Sequence, residues 1–234
     1  MWGGGVAQVR QHEMEMAVIC VRMKKFLQGS LVITTVSLAA CAPATTLNSY
    51  VDANLSKASL SNGGITVLPL LLGEGVKDVN VPELRRELSR RTGESIKKYF
   101  PTAQVTPSET TLAIFEEKKL LDDYNTTAVV FDKTGSLKSD VLVKLTEATG
   151  NRYVILPYLQ SATTSVSVGL YGVRNYTHNA SFSMVIWDKE QQKTVYEGSG
   201  SHSASPGFFK QVNILDAAYG AFDKAGEKLT RDIK

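Results

Sequence analysis

Cysteine, charge of one sign and long hydrophobic runs are all scarce in this 234-residue sequence. Its two cysteines, Cys20 and Cys41, are too few for the disulfide framework that stabilises small secreted domains. Its 26 basic and 23 acidic residues nearly cancel, so the chain lacks the strong positive charge with which nucleic-acid-binding proteins neutralise phosphates. We therefore expect no nucleic-acid partner. The 43% of hydrophobic residues is enough for an ordinary globular domain.

An uncharged, largely apolar segment covers residues 26–40 near the start of the chain. It is shorter than the roughly 20 residues that a membrane-spanning helix needs. The basic triplet Met23-Lys24-Lys25 precedes it, and small residues end it. A basic start, a short apolar segment and a small-residue end are typical of a secretory signal peptide. The sequence therefore predicts a removable signal over residues 23–40.

The end of this segment, Leu38-Ala39-Ala40-Cys41, resembles the lipobox of bacterial lipoproteins. The resemblance implies that the thiol of Cys41 receives a diacylglyceryl group and that cleavage after Ala40 makes Cys41 the mature N-terminus. It further implies an amide-linked acyl chain such as palmitate. Such a mature chain contains one cysteine and forms no internal disulfide. The alternative interpretation is a lone buried thiol beside an uncleaved anchor helix.

The residues on both sides of the signal refine this expectation. A glycine-rich start and two acidic residues precede Met23, so we expect residues 1–22 to be a misassigned extension. In bacterial lipoproteins an aspartate directly after the cysteine retains the protein at the inner membrane. Ala42 and Pro43 stand there instead. The resemblance therefore implies an outer-membrane anchor with the body facing the periplasm.

Residues 41–64 are predicted to form the lipidated N-terminus and a flexible tether, since they are rich in Ser, Thr and Asn. Residues 65–234 are predicted to form one domain, with strands and helices placed by periodicity and capping residues. Predicted strands cover residues 65–72, 103–107, 152–157, 165–168, 181–187 and 194–197. Predicted helices start at Pro82, at Ser108 (through Tyr124), after Ser136 and after Asn213. Residues 126–131 fit either type. The predicted class is α/β (α+β), with a single mixed sheet flanked by helices.

Several segments resemble envelope lipoproteins whose fold is like the N-terminal domain of TolB. They are Ile65-Thr-Val-Leu-Pro69, Tyr153-Val-Ile-Leu-Pro157, Val185-Ile-Trp-Asp188 and Tyr196-Glu-Gly-Ser-Gly200. Proteins of this type include the curli secretion channel lipoprotein and lipoprotein activators of peptidoglycan synthases. The resemblance spans residues 65–234 and implies a binding or assembly role at the envelope, without catalytic residues.

Few residues suggest catalysis or a metal site. Ser199, Ser201, His202 and Ser203 follow one another in a segment, residues 198–208, that is predicted to be a loop. Neighbouring residues of one loop rarely form a nucleophile–base hydrogen bond, and a Gly-x-Ser-x-Gly motif is absent. His178 and His202 are 24 positions apart without nearby ligand spacing. We predict no catalytic residue, no metal and no cofactor.

Two surfaces remain as candidates for binding. The helix that starts at Pro82 has six basic residues interspersed with glutamates, which is typical of a solvated face. Tyr171 and Tyr176 surround a glycine-rich hairpin that suits contact with a partner or a neighbouring subunit, or packing onto its own sheet. We therefore expect a non-enzymatic lipoprotein that binds an envelope protein or assembles with itself. The alternatives are a periplasmic hydrolase and a peptidoglycan- or small-ligand-binding module.

Overall fold

Three consecutive segments of alternating residues build the centre of the fold, and helices cover them on both sides. The computed structural model describes residues 49–77, 79–168, 174–206 and 212–234. The strands in these ranges are β1 Ser49–Val51, β2 Ile65–Val67, β3 Leu71–Val76, β4 Val105–Thr106, β5 Tyr153–Val168, β6 Arg174–Asp188 and β7 Lys193–Ala204. The helices are α1 Lys57–Gly63, α2 Val81–Tyr99, α3 Ser108–Glu117, α4 Leu121–Thr134, α5 Ser139–Thr149 and α6 Ile214–Asp232.

All seven strands belong to one mixed sheet in the order β1-β7-β6-β5-β2-β4, with β3 also paired to β5. The strands β5, β6 and β7 form an antiparallel meander, as their alternating patterns predict. The strands β2 and β3 lie parallel to β5, and β4 lies parallel to β2. This arrangement confirms the predicted class, a single mixed sheet flanked by helices.

The first face of the sheet packs against α1, α2 and α6. Its central side chains alternate along β5 and β6, and include Ile155, Leu159, Phe182 and Met184. The close approach of α6 depends on Gly200, since a Cβ there would lie 2.5 Å from the backbone of Ala221 and Ala225. The helices complete an apolar layer over this face with Leu60, Leu84, Leu88, Ile96, Ala218, Phe222 and Leu229.

The second face of the sheet packs against α3, α4 and α5. Val154, Leu156, Val185 and Trp187 alternate with the residues of the first face and meet these helices. The helices contribute Phe115, Tyr124, Phe131, Leu142 and Leu145, and the turn between α3 and α4 contributes Leu120. This second core ends where β5 and β6 turn polar.

Several predicted helix boundaries are confirmed. Pro82 lies in the first turn of α2. Asn213 accepts hydrogen bonds from the backbone N–H groups of Leu215 and Asp216 and so caps α6. Gly150 ends α5 with a φ of 73°, a conformation that favours glycine.

The helix predicted from Ser108 to Tyr124 is interrupted. The chain turns after Glu117, where Lys119 has a φ of 56°, and α4 then continues through residues 126–131. The turn lets Leu120 enter the second core with 5% of its surface exposed. Burial of the Leu120 side chain thus stabilises the fold more than an unbroken helix through this turn would.

The loop predicted over residues 198–208 is wrong up to Ala204, because β7 continues to that residue. The strands predicted at 152–157 and 165–168 are likewise one strand, β5. Ser and Gly have low strand propensity, so the pattern predicted a loop. Pairing with β6 along the whole segment, and the closeness of α6, decide the strand instead.

The second half of the predicted tether also differs from the structure. Residues 49–51 pair with β7, and α1 follows over residues 57–63. Ser56 caps α1 through a reciprocal bond with Ser59. Leu55 and Leu60 are buried, which explains why this polar-looking stretch folds onto the domain.

Candidate binding surface

The lipidation site predicted at Cys41 and the cleavage residues Leu38, Ala39 and Ala40 lie outside the described residues. None of the helices within the described residues is long and apolar enough to cross a membrane.

A polar area occupies the half of the second face that α3, α4 and α5 leave uncovered. We call it the hydroxyl face. Its members alternate along β5, β6 and β7 and pair across the strands, as in Thr163 with Asn179 and Ser181 with Ser201. They are Ser161, Thr163, Ser165, Ser167, Asn175, Thr177, Asn179, Ser181, Ser199, Ser201 and Ser203. All are uncharged, and all are partly or fully exposed.

Side chains of the hydroxyl face bond to one another. Ser181 donates to Gln160 Oε1 at 2.9 Å and lies 3.3 Å from Ser201 Oγ. Ser203 donates to Asn179 Oδ1 at 2.7 Å. These contacts join uncharged groups only, so they form a flat array of hydrogen-bond donors and acceptors. No contact in this array provides a base for a serine nucleophile.

The serine–histidine arrangement that the hydrolase alternative requires is not brought together. Because side chains alternate along β7, Ser199 and Ser201 lie on the second face and His202 lies on the first. A Cβ on Gly220 would come within 2.2 Å of the His202 ring, so the ring lies directly against α6. His202 lines a cavity of about 390 Å³ together with Asp216 and Asp223.

The two histidines lie closer together than their sequence separation suggests. His178 pairs with Ala204, and His202 pairs with Ala180, so the two are diagonal neighbours on the first face. His178 Nδ1 lies 2.9 Å from Thr164 Oγ1. Across the described residues, no three His, Cys, Asp or Glu side chains are grouped so that they could hold a metal ion.

The ends of β5 and β6 extend beyond the rest of the sheet as a two-stranded segment, residues 163–168 and 174–177. We call it the ribbon. The last pairing of β3 with β5 is at Ala162, and β7 ends opposite His178, so both outer edges of the ribbon lack a neighbouring strand among the described residues. Its first-face side chains include Val166, Val168 and Tyr176, which are 53%, 70% and 42% exposed. Tyr171 lies outside the described residues.

A half-buried tyrosine, Tyr158, marks the border between the second core and the hydroxyl face. Tyr158 donates a short hydrogen bond to Asp132 and stands edge-on to Phe131. Burial raises the pKa of Tyr158, and the Asp132 carboxylate raises it further. Gly73 keeps this place open, because a Cβ there would lie 2.6 Å from the Gln160 carbonyl oxygen. Tyr158 is therefore a hydrogen-bond donor held in place by Asp132 of α4.

Two of the six basic residues of α2, Arg90 and Arg91, form ion pairs within the helix. Arg90 and Arg91 bond to Glu87, and Arg90 also bonds to Glu94. The hydrogen bonds from Arg90 and Arg91 lower the pKa of Glu87 to about 2. Arg91 also lies over the ring of Tyr219, 3.9 Å from its centre. These two arginines therefore serve the fold, as a solvated helix face predicts.

No protein-family model matches the chain, and no curated protein sequence matches it. Solved structures similar to it include the PelC dodecamer from Paraburkholderia phytofirmans, with 9% identity, coverage of 79% of this chain and 96% of that chain, and a TM-score of 0.45. Lipoprotein GNA1162 from Neisseria meningitidis has 18% identity, coverage of 72% and 99%, and a TM-score of 0.42. The hypothetical protein CT253 from Chlamydia trachomatis has 15% identity, coverage of 72% and 95%, and a TM-score of 0.42.

Proposed function

We propose that the chain is a lipoprotein anchored in the outer membrane through Cys41, with its body in the periplasm. In this role it binds another envelope protein or a second copy of itself and catalyses no reaction. The lipobox Leu38–Cys41 supports the anchor. Each buried methylene of an acyl chain contributes about 0.8 kcal/mol, so two or three chains hold a protein at a membrane without a spanning helix.

The observation that carries the binding role is the ribbon. Exposed strand edges template pairing with other chains, and proteins usually protect them with charge, proline or a covering element. The β5 edge, residues 163–168, contains neither charge nor proline. An unprotected edge of this kind suits a strand donated by a partner.

A second copy of the chain is a suitable source of that strand. If two β5 edges pair antiparallel around Val166, then Thr164 faces Val168 of the other copy and Ser165 faces its Ser167. Residues on the first face meet residues of the first face, and the serines of the second face meet serines. The register is therefore self-complementary on both faces.

The lipid anchor is tested by mass spectrometry of the protein purified from its own membrane fractions. We expect the mature chain to start at an acylated Cys41 and to fractionate with the outer membrane. A Cys41→Ala variant should lose the acyl mass, whereas Cys20→Ala should leave it unchanged. A chain that is unacylated and retains residues 1–40 would contradict the anchor.

The ribbon is tested by crosslinking in the same membranes with a thiol reagent. Val166→Cys should form a dimer if copies pair through β5, or an adduct of other mass if another envelope protein supplies the strand. Val129→Cys on α4 is the matched control, since Val129 is 55% exposed and far along the chain from the ribbon. Equal crosslinking of both variants, or none by Val166→Cys, would refute the ribbon as the binding surface.

The hydroxyl face supports a second candidate, binding of peptidoglycan. Its donors and acceptors are neutral and regularly spaced, which suits the hydroxyl and amide groups of a glycan. A cell-wall pull-down checks this candidate, with Ser181→Val and Ser201→Val as variants of the face.

The hydrolase alternative requires a Ser–His pair, and Ser199 and Ser201 lie on the opposite face from His202. Loss of an activity in His202→Ala would favour it.

A further inference from the structure

A small cavity of about 230 Å³ lies between the first turns of α2 and α3. Its apolar lining comes mainly from Pro69, Pro82 and Leu112. The backbone at Pro69 is fixed, because its carbonyl accepts a hydrogen bond from Tyr124 at 2.9 Å. Next to it, Leu70 N–H donates to Ser89 Oγ at 3.1 Å. The cavity therefore has a firm apolar wall.

Two arginines contribute positive charge to the same cavity. Arg85 and Arg86 both line it, and both are exposed. Neither forms an ion pair with any described residue, in contrast to Arg90 and Arg91 of the same helix. Their guanidinium groups are thus available to an incoming anion, which arginine binds through paired hydrogen bonds.

The start of α3 contributes further donors. The residue before the helix is Pro107, and no side chain caps the helix there. The first backbone N–H groups of a helix lack partners within it and carry partial positive charge, which favours a bound anion. Ser108, the first helical residue, lines the cavity and is only 2% exposed. Its hydroxyl has no hydrogen-bond partner among the described residues.

One acidic group opposes this charge. Glu109 also lines the cavity, is exposed and forms no ion pair with a described residue. With two arginines and a helix start against one carboxylate, the cavity keeps a net attraction for a single negative charge.

We propose that this cavity binds a small organic anion, with its charged group at Arg85, Arg86 and the start of α3 and its apolar body against the two prolines. This site is separate from the ribbon and the hydroxyl face, and it requires neither the lipid nor a partner protein. The shared chemistry is an anionic head, carboxylate or phosphate, on a short apolar chain. The volume limits the bound part to a few carbon atoms beyond the head.

Titration calorimetry of the full chain carrying Cys41→Ala tests the proposal. The probes are hexanoate, hexyl phosphate, the neutral hexanamide, and acetate, which lacks the apolar chain. We expect hexanoate or hexyl phosphate to bind at least tenfold more tightly than hexanamide and acetate. Preference between the first two probes distinguishes a carboxylate ligand from a phosphate ligand.

Variants locate the binding. Arg85→Gln and Arg86→Gln should each lower the affinity for the anion at least tenfold, and Ser108→Ala should lower it several-fold. Glu109→Gln should raise the affinity for the anion several-fold, because the carboxylate that repels the anion is gone. Arg90→Gln is the matched control on the same helix and should leave affinity unchanged.

Three results would overturn the proposal. These are equal binding of hexanoate, hexyl phosphate and hexanamide, equal loss in Arg90→Gln and Arg85→Gln, or no binding of either anion. Circular dichroism of each variant shows whether the fold is intact. We expect it to be, since all the substituted side chains except Ser108 are exposed or half-exposed.

Discussion

The two faces of the sheet are built from the same strands but are completed differently. The first face is covered by α1, α2 and α6 along most of its length, and its side chains form one continuous apolar core. The second face carries an apolar core over one half only, and the other half is the hydroxyl face. A fold that needs only one fully covered face for stability leaves the other available for binding. The following predictions test this division, from the largest expected effect to the smallest.

The first prediction concerns the centre of the covered face. Phe182 is fully buried and stands edge-on to Phe222 of α6. Phe182→Ala should lower the free energy of unfolding by about 3–5 kcal/mol, because it removes buried contacts and leaves a cavity. Urea denaturation measures the change. Its neighbour on the hydroxyl face, Ser181→Ala, is the control and should change stability by less than about 1 kcal/mol.

The second prediction concerns the ion pair at the covered end of β5 and β6. Burial raises the pKa of Asp188, but hydrogen bonds from Arg152, the Glu190 N–H and Gln191 outweigh it and hold the pKa below its usual value. A carboxyl group with a lowered folded-state pKa stabilises above its unfolded pKa of about 3.9, and that contribution is lost as the pH falls through the folded value.

Arg152→Met should therefore lower the free energy of unfolding by about 2–3 kcal/mol at neutral pH, since it leaves Asp188 buried without its cation. The loss should shrink as the pH falls from about 4 through the lowered folded-state pKa of Asp188, because the stabilisation by the ion pair disappears over that range. Denaturation at pH 7 and pH 3 measures the difference. An equal loss at both values would show that packing, not charge, is the cause.

The third prediction concerns the approach of α6 to the covered face. Gly200→Ala should lower the free energy of unfolding by about 1–2 kcal/mol, because the new Cβ meets the α6 backbone. The control, Gly93→Ala, should change the free energy of unfolding in the opposite direction. Gly93 lies inside α2, and its nearest contact for a Cβ is Pro107 at 4.0 Å, so Gly93→Ala should stabilise by about 0.5–1 kcal/mol. Thermal unfolding of both variants compares the two sites.

The fourth prediction concerns the open end of the sheet. Val168→Lys should change the free energy of unfolding by less than about 0.5 kcal/mol, since this side chain is 70% exposed. It should nevertheless weaken association through the ribbon, because it places charge on an edge that lacks it. Analytical ultracentrifugation of the Cys41→Ala background, with and without Val168→Lys, separates the two effects. A large loss of stability would show that the ribbon belongs to the folding core.

Several helix ends on both faces of the sheet were predictable because the signals are local. Gly150 ends α5 with a left-handed residue, and Asn213 caps α6 through neighbouring backbone groups. Periodic leucines likewise placed α2 correctly. By contrast, the strand nature of residues 198–204 was hidden, since Ser and Gly favour loops until a neighbouring strand pairs with them. Residues 49–63 were misjudged for a similar reason, because Leu55 and Leu60 bury themselves against distant elements.

The candidate surfaces divide in the same way. The sequence indicated Tyr176 and the hairpin, but the hydroxyl face depends on the register of three strands. A shift of one residue would turn its serines toward α6. The cavity at Arg85 also depends on contact between segments distant in the chain.

By itself the sequence determined the balanced charge, several helix ends and the alternation of the meander strands, because each depends on the residue types present or on neighbouring residues. Only the tertiary structure decided which serines face solvent, that Ser201 and His202 point to opposite faces, and that Arg85 and Arg86 lack ion pairs within the described residues while Arg90 and Arg91 have them. Those outcomes depend on strand register and on which helix covers which face, and both are set by burial of apolar surface over the whole domain.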